Sequence, residues 1–171
     1  MAAVASEPKA APAADLAAAI GDEDAAVADV LALVGESALA RAWAAGDVEF
    51  GRAAHCVTGR PGVPESKPTL VVEGGTDWSG PKTPRHDRLA RVLADLGRVP
   101  EVPEYKRYVK QVLAGKTEDG IERWRPLAAG EAEDGQEVRW TTTRINRDEA
   151  VRLMAPRVRL TDKGLAAARG E

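Results

Sequence analysis

Between Val27 and Gly51 the chain reads VADVLALVGESALARAWAAGDVEFG, and no other stretch limits the fold as much. Val27, Val30, Leu31 and Val34 recur at the spacing of one helical face, and Gly35 suits a left-handed cap at its end. Ser37 can cap a second helix, in which Leu39 and Trp43 fall four apart on one side. Gly46-Asp47 stops that helix, and Val48 and Phe50 alternate as strand residues do. Helix, tight turn, helix and strand therefore follow one another without a spacer.

The text before this stretch is dominated by alanine, which contributes 32 of the 171 residues, 19 of them in the first 50. The hydrophobic content of 44% thus overstates the core, because Phe, Tyr and Trp together number only seven. One domain or two very small ones is the expectation for this length. Residues 1–14 carry almost no large apolar side chain and read as a flexible leader. Asp15 can cap a helix over Leu16–Ile20, Gly21 breaks it, and Asp22-Glu23-Asp24 place acids on the first turn of the next.

After Val57 glycine and proline crowd the chain as far as Gly80, with Thr69–Val72 as the one strong strand segment. The spacing predicts a helix from Thr83-Pro84 to Leu96 and a second over Tyr105, Tyr108, Val109, Val112 and Leu113. Trp43, Leu89, Leu93, Tyr108 and Val112 are the expected core. Ile121–Leu127 and Glu137–Ile145 read as strands of a hairpin about Asp134-Gly135. Asn146 caps a short helix to about Met154, Arg157–Leu160 is a brief strand, and Thr161 starts a last helix.

That C-terminal run, RVRLTDKGLAAAR, resembles the last strand and following helix of winged-helix transcription regulators, in Leu160, Thr161 and Gly164. The resemblance implies a strand leaving a wing, a threonine N-cap and a glycine that permits close approach. It covers about a dozen residues. Val27–Gly51 suits the helix-turn-helix part of such a module, and strands 47–51 and 69–73 around a long loop would form a wing. The expected fold is therefore α+β and mostly helical, with one or two winged-helix-like units and small antiparallel hairpins. Its parts are the leader 1–14, helices with a long-tipped hairpin over 15–82, and helices, hairpin and strand-helix over 83–171.

The formal charge of −3 is unevenly spread: residues 1–51 carry two cations against nine acids, and residues 52–110 eleven against seven. A pI near 5.6 argues against indiscriminate binding to nucleic acid. Arginines nevertheless thicken the C-terminal third, and Arg144, Arg147, Arg157 and Arg159 are the candidate nucleic-acid-binding residues, with Trp124 and Trp140 as stacking partners. The would-be recognition helix ESALARAWAAG offers one cation and one acid, a poor reader of bases.

His55 and Cys56 are adjacent, so on a strand they point apart and cannot form a nucleophile–base dyad. GRPGVPESKP lacks the spacing of a phosphate loop, and one Cys with two His gives no zinc-ligand pattern. No catalytic residue, metal or cofactor is expected. With no secretory signal, no apolar membrane span and one cysteine, the expected location is cytoplasmic. The expected role is a non-enzymatic DNA-associated or regulatory module with duplex DNA as partner. The alternative is a protein-interaction or structural subunit that meets a protein or a second copy of itself.

Overall fold

The computed structural model describes residues 13–59 and 67–170. The expected leader lies outside them except for Ala13 and Ala14, which open the first helix, and so do residues 60–66 of the expected loop. In order the elements are α1 (Ala13–Ile20), β1 (Ala25–Ala26), α2 (Val27–Val34), α3 (Glu36–Ala44), β2 (Val48–Thr58) and β3 (Thr69–Trp78). They continue with α4 (Leu89–Leu96), β4 (Glu104–Lys116), β5 (Glu122–Pro126), β6 (Val138–Ile145), α5 (Arg147–Leu153), β7 (Arg157–Leu160) and α6 (Asp162–Ala168). No described helix is long and apolar enough to cross a membrane.

The fold is α+β, but it is not mostly helical. Among the described residues strand accounts for 35% and helix for 31%, and seven strands form one mixed sheet in the order β1-β7-β2-β3-β4-β5, with β6 also on β4. The largest correction is residues 104–116, read as a helix and found as the longest strand. Their apolar residues satisfy both periods. As a helix they form one stripe; as a strand Tyr105, Val109 and Leu113 face one way and Tyr108 and Val112 the other. Tyrosine and valine favour the pleated alternative. Tyr108, an expected core residue, is in consequence 42% exposed, whereas Val112 is buried.

The expected β5–β6 hairpin is corrected as well. β6 pairs antiparallel with Tyr105–Val112 of β4, and β5 pairs antiparallel with Gln111–Lys116. Gln111 and Val112 have partners in both, so β5 and β6 lie on opposite edges of β4 and not against each other. β3 runs parallel to Glu104–Arg107 of the same strand. Smaller boundaries also differ, beginning with Asp15, which lies inside α1 and not before it. Ser37 lies inside α3, which Gly35 precedes without a side-chain cap. Asp22–Asp24 stand before β1 and not on a helix. The His86 amide donates to the Thr83 carbonyl at 2.9 Å in a separate turn, so α4 begins only at Leu89.

Two compact units emerge, each assembled from separate segments. The first comprises residues up to Ala53, Gly75–Val99, and Met154 onward. Its core unites Leu16 and Ile20 of α1, Val27 and Val30 of α2, and Leu39, Ala42 and Trp43 of α3 with Leu89 of α4. The sheet closes it through Val48 and Phe50 of β2 and Val158 and Leu160 of β7, which the register sets opposite one another. Alternation sends Glu49, Gly51, Arg157 and Arg159 to the other face. Gly35, at φ +85° and ψ 162°, occupies backbone space that essentially only glycine enters. A Cβ there would meet nothing within 4 Å. Gly35→Ala is therefore expected to cost about 1–3 kcal/mol from backbone strain alone, read by urea denaturation. No measurable change would mean that the turn is not held as described.

At the end of β7, Thr161 Oγ1 accepts from the Gly164 amide at 3.2 Å and donates to the Gly46 carbonyl at 2.6 Å. A Cβ on Gly164 would stand 2.0 Å from the Asp47 carbonyl oxygen. The β7–α6 turn is thus pressed against the turn that ends α3.

The second unit comprises Ala54–Gly74 and Pro100–Leu153. Leu70 and Val72 of β3 share a sheet face with Tyr105 of β4 and Ile145 of β6, and all four are buried. Ala150 of α5 is fully buried, and Asn146 caps that helix by accepting from the Glu149 amide at 2.7 Å. Farther along β4 the buried residues thin out until Val112.

Candidate nucleic-acid interface

The four arginines singled out in the sequence fall into two pairs. Arg157 and Arg159 stand two apart on β7, on the face of the first unit that turns away from its core. Arg157 is ion-paired to Asp24. Arg159 is ion-paired to Glu49, itself only 8% exposed, and its guanidinium lies 4.2 Å from the Trp78 ring centre. Neither cation is left free for a phosphate.

The cleft of about 750 Å³ beside them includes Asp22, Glu23, Glu49 and Asp162 in its lining, against Arg159 and Lys163. Lys163 in turn donates to the Ala45 carbonyl. The balance of charge there opposes an anion. On α3 the exposed positions are Glu36, Ser37 and Ala44, and Arg41 is half-buried.

Arg144 and Arg147 come together in the second unit, lining a cleft of about 560 Å³ with Glu104, Tyr105 and Asn146. Arg147 meets Glu101 at 2.7 Å, and that hydrogen bond raises its pKa further. Arg144 is held more loosely. Its contact with Glu104 is 4.0 Å and its side chain is 75% exposed.

Arg144 belongs to a larger surface. In the β4–β6 register Lys106 lies opposite Arg144, Tyr108 opposite Thr142, Lys110 opposite Trp140, and Val112 opposite Val138. Paired residues share a face, and every second pair shares the same one. Lys106, Tyr108, Lys110, Trp140 and Arg144 therefore form one face, on which Trp140 is 61% exposed. Lys110 sits over the Trp140 ring at 5.1 Å and is ion-paired to Glu133. Lys106 has no ion pair among the described residues. Over β4, β5 and β6 there are eight Lys and Arg against two carboxylates, Glu104 and Glu122, while the connecting loops hold most of the acids.

Trp124, expected to act with Trp140, lies on the opposite face, because it pairs with Leu113. There the Arg139 guanidinium covers its ring at 4.3 Å and donates to Gln111 at 2.9 Å. Sequence reasoning missed Lys106, Tyr108 and Lys110. The signal was present as alternation in Lys106-x-Tyr108-x-Lys110, but it was masked by reading the same stretch at helical period.

Arg125 of β5 shares the face of Val112 and is locked by Glu131 through two bonds of 2.7 and 2.8 Å. Glu131 also accepts from Gln136 at 2.8 Å and from the Ala128 amide at 3.2 Å. The Arg125 bond first, then those of Gln136 and Ala128, hold its carboxyl down to about 2. Because the folded value lies below the usual 4.5, the contribution to order is present above 4.5 and is lost as pH falls toward 2. The Glu131 carboxyl resonance should titrate near 2, and Arg125→Gln should move the midpoint upward. A midpoint near 4.5 in the parent chain would mean that this clamp does not form.

Cys56 lies on β2, the strand before β3. Burial first, then the hydrogen bond and charge of Glu73, push its thiol above the usual value. Among the described residues no group of three His, Cys, Asp or Glu could hold a metal ion. No protein-family model, curated protein or solved structure matches the chain.

Proposed function

We propose that the chain is a non-enzymatic, cytoplasmic nucleic-acid-associated module, and that the binding surface is the β4–β6 face of the second unit. The observation that carries this reading is the placement of two exposed aromatic rings, Tyr108 and Trp140, among Lys106, Lys110 and Arg144. Aromatic faces stack on bases, while cations beside them meet phosphates and release counterions. Glu104 is the one carboxylate that β4 and β6 contribute.

A winged-helix-like reading of the first unit is supported by the antiparallel placement of β7 between β1 and β2, after the α2–α3 pair. A strand that returns from a long excursion to that position, followed by a threonine cap and a glycine in close approach, is what a strand leaving a wing requires. The proposed role of this unit is regulatory or structural and not base reading, since Arg157 and Arg159 hold acids of their own chain.

Fluorescence polarisation of labelled oligonucleotides at low and moderate salt tests the reading. Affinity should fall steeply with salt, and Lys106→Ala or Arg144→Ala should each reduce the log–log slope by about 1. Arg157→Ala and Arg159→Ala should leave it unchanged. Absence of binding at low salt would overturn the reading in favour of a protein partner or second copy, which the same exposed rings could meet.

A further inference from the structure

Resting on the nucleic-acid reading of the β4–β6 face, we infer that its ligand is a single strand and not a duplex, with Tyr108 and Trp140 each stacking on one of two successive unpaired bases. Tyr108 lies opposite Thr142, and Trp140 opposite Lys110, one pair farther along the same face. Such diagonal neighbours stand roughly 7–8 Å apart across a sheet. Bases stacked in a duplex strand repeat at about 3.4 Å, with their flat faces hidden against each other. Two rings at the sheet spacing cannot serve that repeat. An unstacked strand presents its base faces at wider intervals and can lay them on the rings.

The cations agree with this geometry. Lys106 and Arg144 form the adjacent cross-strand pair beyond Tyr108, and Lys110 lies beside Trp140 at the other end. The backbone of a strand whose bases cover the two rings would therefore pass the Lys106 and Arg144 charges at one end, while Lys110 at the other already holds Glu133. Duplex recognition calls for an element that enters a groove, usually a helix or a projecting ribbon. On this face the rings stand on the sheet itself. Stacking tolerates any base, so the inferred ligand class is single-stranded nucleic acid of no fixed sequence.

The test compares labelled oligothymidylate, oligouridylate and an oligothymidylate–oligoadenylate duplex of equal length on the full chain. The expected result is tighter binding of either single strand than of the duplex, with quenching of tryptophan fluorescence on binding. Trp140→Ala and Tyr108→Ala should each weaken single-strand binding about tenfold, and Trp140→Phe should retain most of it. Trp140 is exposed, so its replacement should leave the melting temperature unchanged, and the comparison of strands in the parent chain needs no variant. Duplex binding equal to or tighter than single-strand binding, lowered by Lys106→Ala but not by Trp140→Ala, would overturn the inference and leave the nucleic-acid reading intact. Binding of none of the three at low salt would remove both.

Discussion

Gly164→Ala is expected to destabilise the first unit by about 3 kcal/mol or more, at the upper end of the cost of overpacking. The added methyl would be 2.0 Å from the carbonyl oxygen of Asp47 and 2.9 Å from its carbonyl carbon. Both are backbone atoms, so no side chain can rotate away. Relief requires the β7–α6 turn to lift off the turn after α3. That movement breaks the bond from Thr161 Oγ1 to the Gly46 carbonyl and the 2.9 Å bond from the Thr161 amide to the Asp47 carbonyl. At roughly 2–4 °C per kcal/mol, the midpoint of thermal unfolding should drop by about 6–12 °C. Asp162→Ala, two residues earlier on an exposed site, serves as the control. A Gly164→Ala protein that melts with its parent would show that the two turns are not in contact.

Trp43→Ala should be comparably severe, at about 3–5 kcal/mol. The side chain is 2% exposed, lies edge-on to Phe50 with ring centres 5.7 Å apart, and belongs to the cluster that joins α1, α2, α3, β2 and β7. Trp43→Phe should cost far less. Trp43 Nε1 is buried without a hydrogen-bond partner among the described residues, and removing such a group recovers about 1–3 kcal/mol of desolvation. That recovery offsets most of the area lost with the larger ring. Chemical denaturation of the two variants separates these contributions. A Trp43→Phe cost of about 3 kcal/mol or more would mean that the indole nitrogen has a partner in solution.

What the sequence discloses and what it hides follows the distance over which each feature is decided. Thr161 and Gly164 are legible because cap and helix start lie three residues apart, and Asn146 is legible for the same reason. Trp43 and Leu39 are legible as one helical side. Residues 104–116 are not, because Tyr105, Tyr108, Val109 and Val112 fit either period, and pairing with three other strands decides between them. The candidate interface suffered directly from this ambiguity, since the face that holds Tyr108 exists only in the strand. The arginines were visible, but their neutralisation was not. Asp24 lies 133 residues from Arg157 and Glu49 lies 110 from Arg159, distances over which composition carries no information about pairing.

The place of β7 between β1 and β2 also sets an order of events during synthesis. Every segment of the second unit has been translated once Leu153 is made, and its sheet can close then. The first unit cannot close its sheet at that moment, although α1, α2, α3 and β2 were made much earlier. Val48 and Phe50 wait for Leu160 and Val158, and Ala25 and Ala26 wait for Val158 and Arg157. The entropy of closing so long a loop must be met before any of those contacts gives a return. The earlier-made half of the protein should thus be the later to fold, with the apolar faces of its helices uncovered in the interval, where a nascent-chain chaperone would find them.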